Sequence, residues 1–224
     1  MLDLFRGEYG EVLNMAEEGE QRCFTGKRWG GNAVLIVVDA ALDSIGLKYF
    51  QIVVPRVRRF WEEYVQRGLI ASFDDFSKLS SQDPRLRDIM NNERCWRVAI
   101  DACKVLGETR RKESLSSDYA ALRVWAETSD YERWWEDPIG AISGVGLITF
   151  QYLRMQAGVD TTMPDKIVKR VVGRVFAIDA VDDLEFIKKM EYLSKEIGYS
   201  QTFICWAIWL KESDIKTSSW EGID

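Results

Sequence analysis

The stretch that decides the fold is Asp137-Pro138-Ile139-Gly140-Ala141-Ile142-Ser143-Gly144-Val145-Gly146-Leu147-Ile148-Thr149. Asp137 suits a helix N-cap and Pro138 the first helical position. Ser143-Gly144-Val145-Gly146 reads as a tight turn, and Leu147 to Ala157 as a second helix that Gly158 ends. Two short helices joined by a Gly-x-Gly turn present backbone N–H groups at a helix N-terminus, where the helix dipole adds partial positive charge. That arrangement binds a phosphate without a basic side chain, and the missing side chains at Gly144 and Gly146 allow close approach. An ordinary helix–helix turn fits the same residues, so the stretch alone leaves both readings open.

Immediately downstream stands Asp160-Thr161-Thr162-Met163-Pro164-Asp165-Lys166-Ile167-Val168-Lys169-Arg170. Pro164 suits a first helical position, which puts Asp165 in the first turn. There the positive helix end favours the ionised carboxylate by about 0.3–1 kcal/mol. The plainer alternative is that Asp165 only caps or charges its helix. Lys166, Lys169, Arg170 and Arg174 give that helix a basic face, which is either a phosphate-binding patch or a solvated surface.

The rest of the chain is read as helical. Asp182 and Asp183 precede apolar residues at Leu184, Ile187, Met190, Leu193 and Ile197, spaced by three and four, and Gly198 follows as a stop. Ser200 caps a last helix carrying Phe203, Trp206, Ala207 and Leu210. Ser72 and Asp83-Pro84 mark two more helix starts, and Ser114 to Thr128 reads as another helix. Residues 33–66 are rich in Val and Ile. Their length without turn signals favours buried helix over strand, with breaks expected at Gly46 and Pro55. The tail from Ser213 is polar and reads as loosely held.

Composition narrows the chemistry. The 224 residues are 46% hydrophobic and 12% aromatic with nine Trp, enough apolar material for a packed interior. No apolar run is long enough to cross a membrane, and the N-terminus carries Asp3, Arg6 and Glu8 in place of a signal-peptide core, so an intracellular, cytoplasmic protein is expected. The chain has no His, which removes His-based triads, His general bases and His-ligated metals. Cys23, Cys95, Cys103 and Cys205 form no metal-binding spacing and read as isolated buried thiols. The net charge of −6 runs against a nucleic-acid binder, unless the positive charge is gathered on one face.

Together, Ile142-Ser143-Gly144-Val145-Gly146, Thr149, Pro164-Asp165 and Val168-x-Arg170 resemble the helix-hairpin-helix superfamily of base-excision DNA glycosylases, which includes endonuclease III and the adenine-mismatch and alkyladenine glycosylases. Ser143 stands where the family's hairpin usually has proline. The resemblance implies an all-α fold of two lobes. One, residues 33–149, is a six-helix bundle with the hairpin at 143–146; the other joins residues 1–32 to 150–224 and carries Asp165. It implies Asp165 as the catalytic carboxylate. Ser143, Gly144, Val145, Gly146, Ile148, Thr149, Lys166, Lys169 and Arg170 are the expected DNA contacts. The expected partner is lesion-containing double-stranded DNA, bound by a monomer without metal or other cofactor.

Departures from the family sharpen this expectation. Bifunctional members carry Lys two residues after the second hairpin glycine, where this chain has Ile148, so no amine is available there for a Schiff base. Of the cysteines only Cys205 lies near the C-terminus, so no iron–sulfur cluster is expected. By the same resemblance a wedge that fills the vacated stack comes from residues 40–46, with Leu42 the candidate and Ala41 and Asp43 the alternatives. Trp29, Trp125, Trp134 and Trp135 are candidates to line a base pocket. The hairpin also fits a non-catalytic DNA-binding module, or a helical interaction protein unrelated to DNA.

Overall fold

The computed structural model describes residues 2–213. Among them the chain is all-helical, with twelve α-helices and no strand. In order these are α1 (Leu2–Tyr9), α2 (Leu13–Phe24), α3 (Ala33–Asp43), α4 (Val54–Phe60), α5 (Phe73–Phe76), α6 (Pro84–Ile89), α7 (Glu93–Lys112), α8 (Asp118–Thr128), α9 (Leu147–Gln156), α10 (Lys166–Phe176), α11 (Asp183–Ile197) and α12 (Gln201–Glu212). No helix of the described residues is long and apolar enough to cross a membrane. The polar tail read from Ser213 onward lies, from residue 214, outside the described residues.

Local chemistry sets most boundaries. The side chains of Ser72, Asp83, Ser117, Asp182 and Ser200 each accept a backbone N–H at the start of a helix. Gly198 ends α11 at φ +74°, a left-handed conformation that costs a glycine little. The helix read from Ser114 begins later, at Asp118, because Ser117 takes the cap and Ser114 sits at φ +54°.

The Val- and Ile-rich segment is helical, as its length suggested, and α3 is buried along nearly its whole extent. The break lies near Gly46, at φ +70°. Pro55 does not break the chain. It lies in the first turn of α4, which continues from a π-helical turn over Tyr49–Val53 and runs into another over Trp61–Val65. Proline lacks a donor, and a widened turn ahead of it absorbs that loss.

Two helices organise the packing. α7 lies against α3, α5 and α8, while α12 lies against α1, α2, α10 and α11. α9 touches α2, α3 and α8 and so meets both sets. The buried apolar residues form one connected cluster that includes Trp29, Trp96 and Trp206. All four cysteines are buried within it.

At the centre of this core sits a polar knot. Asp39 Oδ2 accepts from Arg28 Nη2 at 2.9 Å, Trp29 Nε1 at 2.8 Å, Gln156 Nε2 at 2.8 Å and Tyr49 OH at 3.0 Å. Arg28 Nε also donates to Gln156 Oε1 at 2.8 Å, and its guanidinium lies 5.1 Å from the Trp206 ring centre. Arg28 and Asp39 are both fully buried. Removing one member of such a pair strands the other charge in a medium that solvates it poorly. Asp39→Ala is therefore expected to lower folding stability by about 3–5 kcal/mol in urea titrations. A loss well below about 1 kcal/mol would show that the knot does not hold the helices together.

Candidate active site

The hairpin is built from the Asp137 side upward. Asp137 Oδ1 accepts the Ile139 N–H at 2.8 Å and the Trp125 indole N–H at 3.0 Å. The helix expected from Pro138 is only one turn, closed by Ala141 N–H to Asp137 O at 2.8 Å. It stays this short because the chain must reverse at Gly144, which adopts φ +109°. A β-carbon there would stand 2.9 Å from Arg94 Nε and 3.0 Å from Val98 Cγ2. Gly140 is equally constrained, since a β-carbon would collide with the Trp134 carbonyl.

Gly146 is the N-cap of α9 and offers no side chain to the first turn, so the N–H groups of Leu147, Ile148 and Thr149 carry no side-chain cap. Ser143 and Ile148 are exposed. Val145 is half-buried against the core, and the Thr149 side chain is 8% exposed. Thr149 is therefore largely withdrawn from the surface, and Val145 is only partly exposed.

Two residues missed in the sequence complete the hairpin. Arg94 Nη2 donates to Gly144 O at 3.0 Å and Arg97 Nη2 to Ser143 O at 3.4 Å. Both guanidiniums project from the exposed face of α7 beside the turn. Their spacing of three on one helix was visible, but nothing local linked them to residues nearly fifty positions away.

Asp165 lies at the start of α10, two positions earlier in the helix than expected. It is the N-cap, not a first-turn residue, and Pro164 precedes the helix. The preceding loop is pinned on both sides. Gln151 Nε2 of α9 donates to Thr161 Oγ1 at 2.6 Å, and the Thr202 N–H of α12 donates to Asp160 Oδ1 at 3.1 Å. Asp165 Oδ1 accepts the Val168 N–H at 2.7 Å, and Oδ2 accepts the Trp209 indole N–H at 2.8 Å. Burial pushes the Asp165 carboxyl above the usual carboxylate range, and the Val168 N–H, the Trp209 N–H and the Lys169 charge pull it back.

Around Asp165 the structure gathers aromatic rings that sequence reading did not select. Trp209 meets Tyr152 edge-on at 6.0 Å, and Tyr152 meets Tyr49 edge-on at 6.3 Å. The Tyr49 hydroxyl reaches Asp39 in the buried knot, so this wall joins the knot to Asp165. Burial holds the Tyr152 hydroxyl well above the ordinary range. The four tryptophans proposed for a pocket lie elsewhere. Trp29 is fully buried in the knot, while Trp125 and Trp134 pack on Phe150 beneath the hairpin. Trp135 is exposed next to Trp134.

Leu42, the wedge candidate, is fully buried. It sits in the last turn of α3, whose apolar faces are covered on nearly every side, so it cannot enter a base stack in this conformation. Ala41 is buried too. Asp43, the remaining alternative, is half-buried and close to the site. Burial first, then the charges of Asp39 and Asp165, push its carboxyl well above the usual carboxylate range.

The expected basic face of α10 is largely neutralised. Lys169 pairs with Asp183 at 2.6 Å, Arg170 with Glu212 at 2.7 Å, and Arg174 with Glu8 and Glu212 at 3.4 and 3.6 Å. Lys166 is exposed beside Asp165. The cations of this helix act mainly as ties to α1, α11 and α12.

No family model, no curated protein and no solved structure matches this chain. The functional reading rests on the residues themselves.

Asp43 gives a pH-dependent test. Its folded pKa lies above the unfolded value, so its contribution to stability is fully present below about pH 4 and is lost as pH rises through the raised value. Asp43→Asn should raise the Tm near pH 7, with the gain shrinking as pH falls from the raised value toward about 4 and absent below it. A gain independent of pH would show that charge is not the cause.

Proposed function

We propose that this chain is a monofunctional DNA glycosylase of the helix-hairpin-helix kind. It would hydrolyse the N-glycosidic bond of a damaged or mismatched base flipped out of double-stranded DNA. The observation that carries this reading is the Asp165 carboxylate. Each of its oxygens is held by a donor, one from the backbone and one from Trp209, against a wall of aromatic rings. Such a group can face a developing positive charge without rearranging.

In the proposed reaction the C1′–N bond breaks and its electron pair leaves with the base. The sugar becomes an oxocarbenium-like cation, as in other glycoside cleavages. Asp165 stabilises that cation and takes a proton from the water that attacks C1′. Ile148 offers no amine, so strand cleavage through a lysine at that position is not part of the reaction. The base must first leave the stack, which costs a few kcal/mol, and the half-buried rings of Tyr49 and Trp209, backed by the buried Tyr152, are the aromatic surface near Asp165 on which it could stack.

DNA would be held through its backbone. The uncapped N–H groups at the start of α9 would donate to a phosphate, and Arg94 and Arg97 add charge beside it. The grouping of helices around α7 and around α12 supports the two-lobed arrangement, with residues 33–149 in one lobe and 1–32 plus 150–224 in the other. α9, which meets both groups, follows the hairpin directly.

Single-turnover assays on duplexes that each carry one alkylated, deaminated or oxidised base test this reading. The wild-type protein should release at least one of them, leaving an abasic site and no borohydride-trapped adduct. Asp165→Asn should slow that release by about 10²–10⁴-fold while DNA affinity changes little. Release unaffected by Asp165→Asn would refute the mechanism, and release of no base by the wild type would refute the function.

A further inference from the structure

The hydrogen bond from Trp209 to Asp165 does work that helix capping does not require. Capping uses Oδ1 alone, which accepts the Val168 N–H at 2.7 Å. A carboxylate held by one oxygen still turns about its last torsion, which is broad for Asp. The second bond, from Trp209 Nε1 to Oδ2 at 2.8 Å, removes that freedom. An indole N–H donates and cannot accept. It therefore favours the carboxylate over the carboxylic acid and takes no proton from it.

The indole is itself held. Trp206 meets it edge-on at 5.4 Å from the same helix, and Tyr152 of α9 meets it edge-on at 6.0 Å from the other side. Trp206 in turn lies under the Arg28 guanidinium of the buried knot. The charges around Asp165 oppose one another. Asp43 of α3 is a second acid whose carboxyl feels the Asp165 charge, and Cys205 of α12 has its thiol pushed up to about 12, chiefly by burial, with Asp165 contributing. Lys169 on α10 acts the other way.

Resting on the glycosylase reading, we propose that Trp209 is a positioning residue for Asp165. Its N–H fixes the plane of the carboxylate and keeps it the ionised group that the reaction needs.

Trp209→Phe keeps a ring in the aromatic wall and deletes only the donor. Three readouts follow it: thermal stability, the titration of the Asp165 side-chain carboxyl by 13C NMR in the free protein, and the pH profile of base release. The Asp165 titration should move to higher pH, and the acid limb of kcat/KM should move with it. At a pH on the plateau, kcat should fall by about ten- to a hundredfold with KM little changed. Combined with Asp165→Asn, the substitution should add almost nothing further. If Trp209→Phe does not fold, 3-benzothienylalanine at position 209 keeps the indole shape and replaces the N–H with sulfur.

An unmoved titration and an unmoved acid limb would overturn the role of Trp209 and leave Asp165 as the reacting group. Losses that simply add to those of Asp165→Asn would overturn it as well. Wild-type protein that releases no base from any duplex would overturn the reaction itself, whatever the titration does.

Discussion

The buried pair of Arg28 and Asp39 is the interaction on which the rest of the structure depends. It places two opposite charges where water cannot reach, at a desolvation cost of several kcal/mol per ion that only dense hydrogen bonding offsets. That bonding is drawn from four places in the chain: the Arg28–Trp29 turn, α3, the turn at Tyr49, and Gln156 at the end of α9. Trp29 takes a left-handed conformation, φ +48°, that a bulky residue rarely adopts. The knot therefore fixes how these segments meet, not only how strongly. Asp43 lies one helical turn beyond Asp39, and Trp206 bridges from Arg28 toward Trp209 and Asp165.

On the proposed reading, a protein of net charge −6 would have to grip DNA locally. The two arginines and two lysines of α10 looked like the means, yet Lys169, Arg170 and Arg174 are tied to carboxylates of α1, α11 and α12. On that reading the hairpin would supply the grip instead. Its backbone N–H groups carry the partial charge of a helix end, and Arg94 and Arg97 reach it from α7 while bonding its carbonyls. A grip confined to the few phosphates at one turn would weaken only shallowly with salt, because the slope scales with the number of phosphates neutralised.

How much was legible in the sequence follows from the range of each interaction. Caps at Ser72, Asp83, Asp182 and Ser200 were readable because donor and acceptor lie within three residues. The tight turn at Gly144 was readable for the same reason. Asp165 was singled out correctly as a residue at a helix start but placed two positions too far in, since the pinned loop from Asp160 to Pro164 holds the proline outside the helix. Trp209 and Tyr152 were invisible because their relation to Asp165 spans three helices. Nine tryptophans offered no local sign of which one would reach the carboxylate. Leu42 was misjudged because a leucine near a helix end reads alike whether it faces water or core, and α3 is covered on nearly all sides.

The central claim is that Asp165 is aimed at a positive charge developing on a sugar. A duplex carrying a pyrrolidine in place of one nucleotide holds such a charge permanently, while the same duplex with a tetrahydrofuran does not. The account predicts that the protein binds the pyrrolidine duplex at least about 100-fold more tightly, as a transition-state mimic would be, and that Asp165→Asn abolishes the difference. Equal affinity of the wild-type protein for the two duplexes would contradict it.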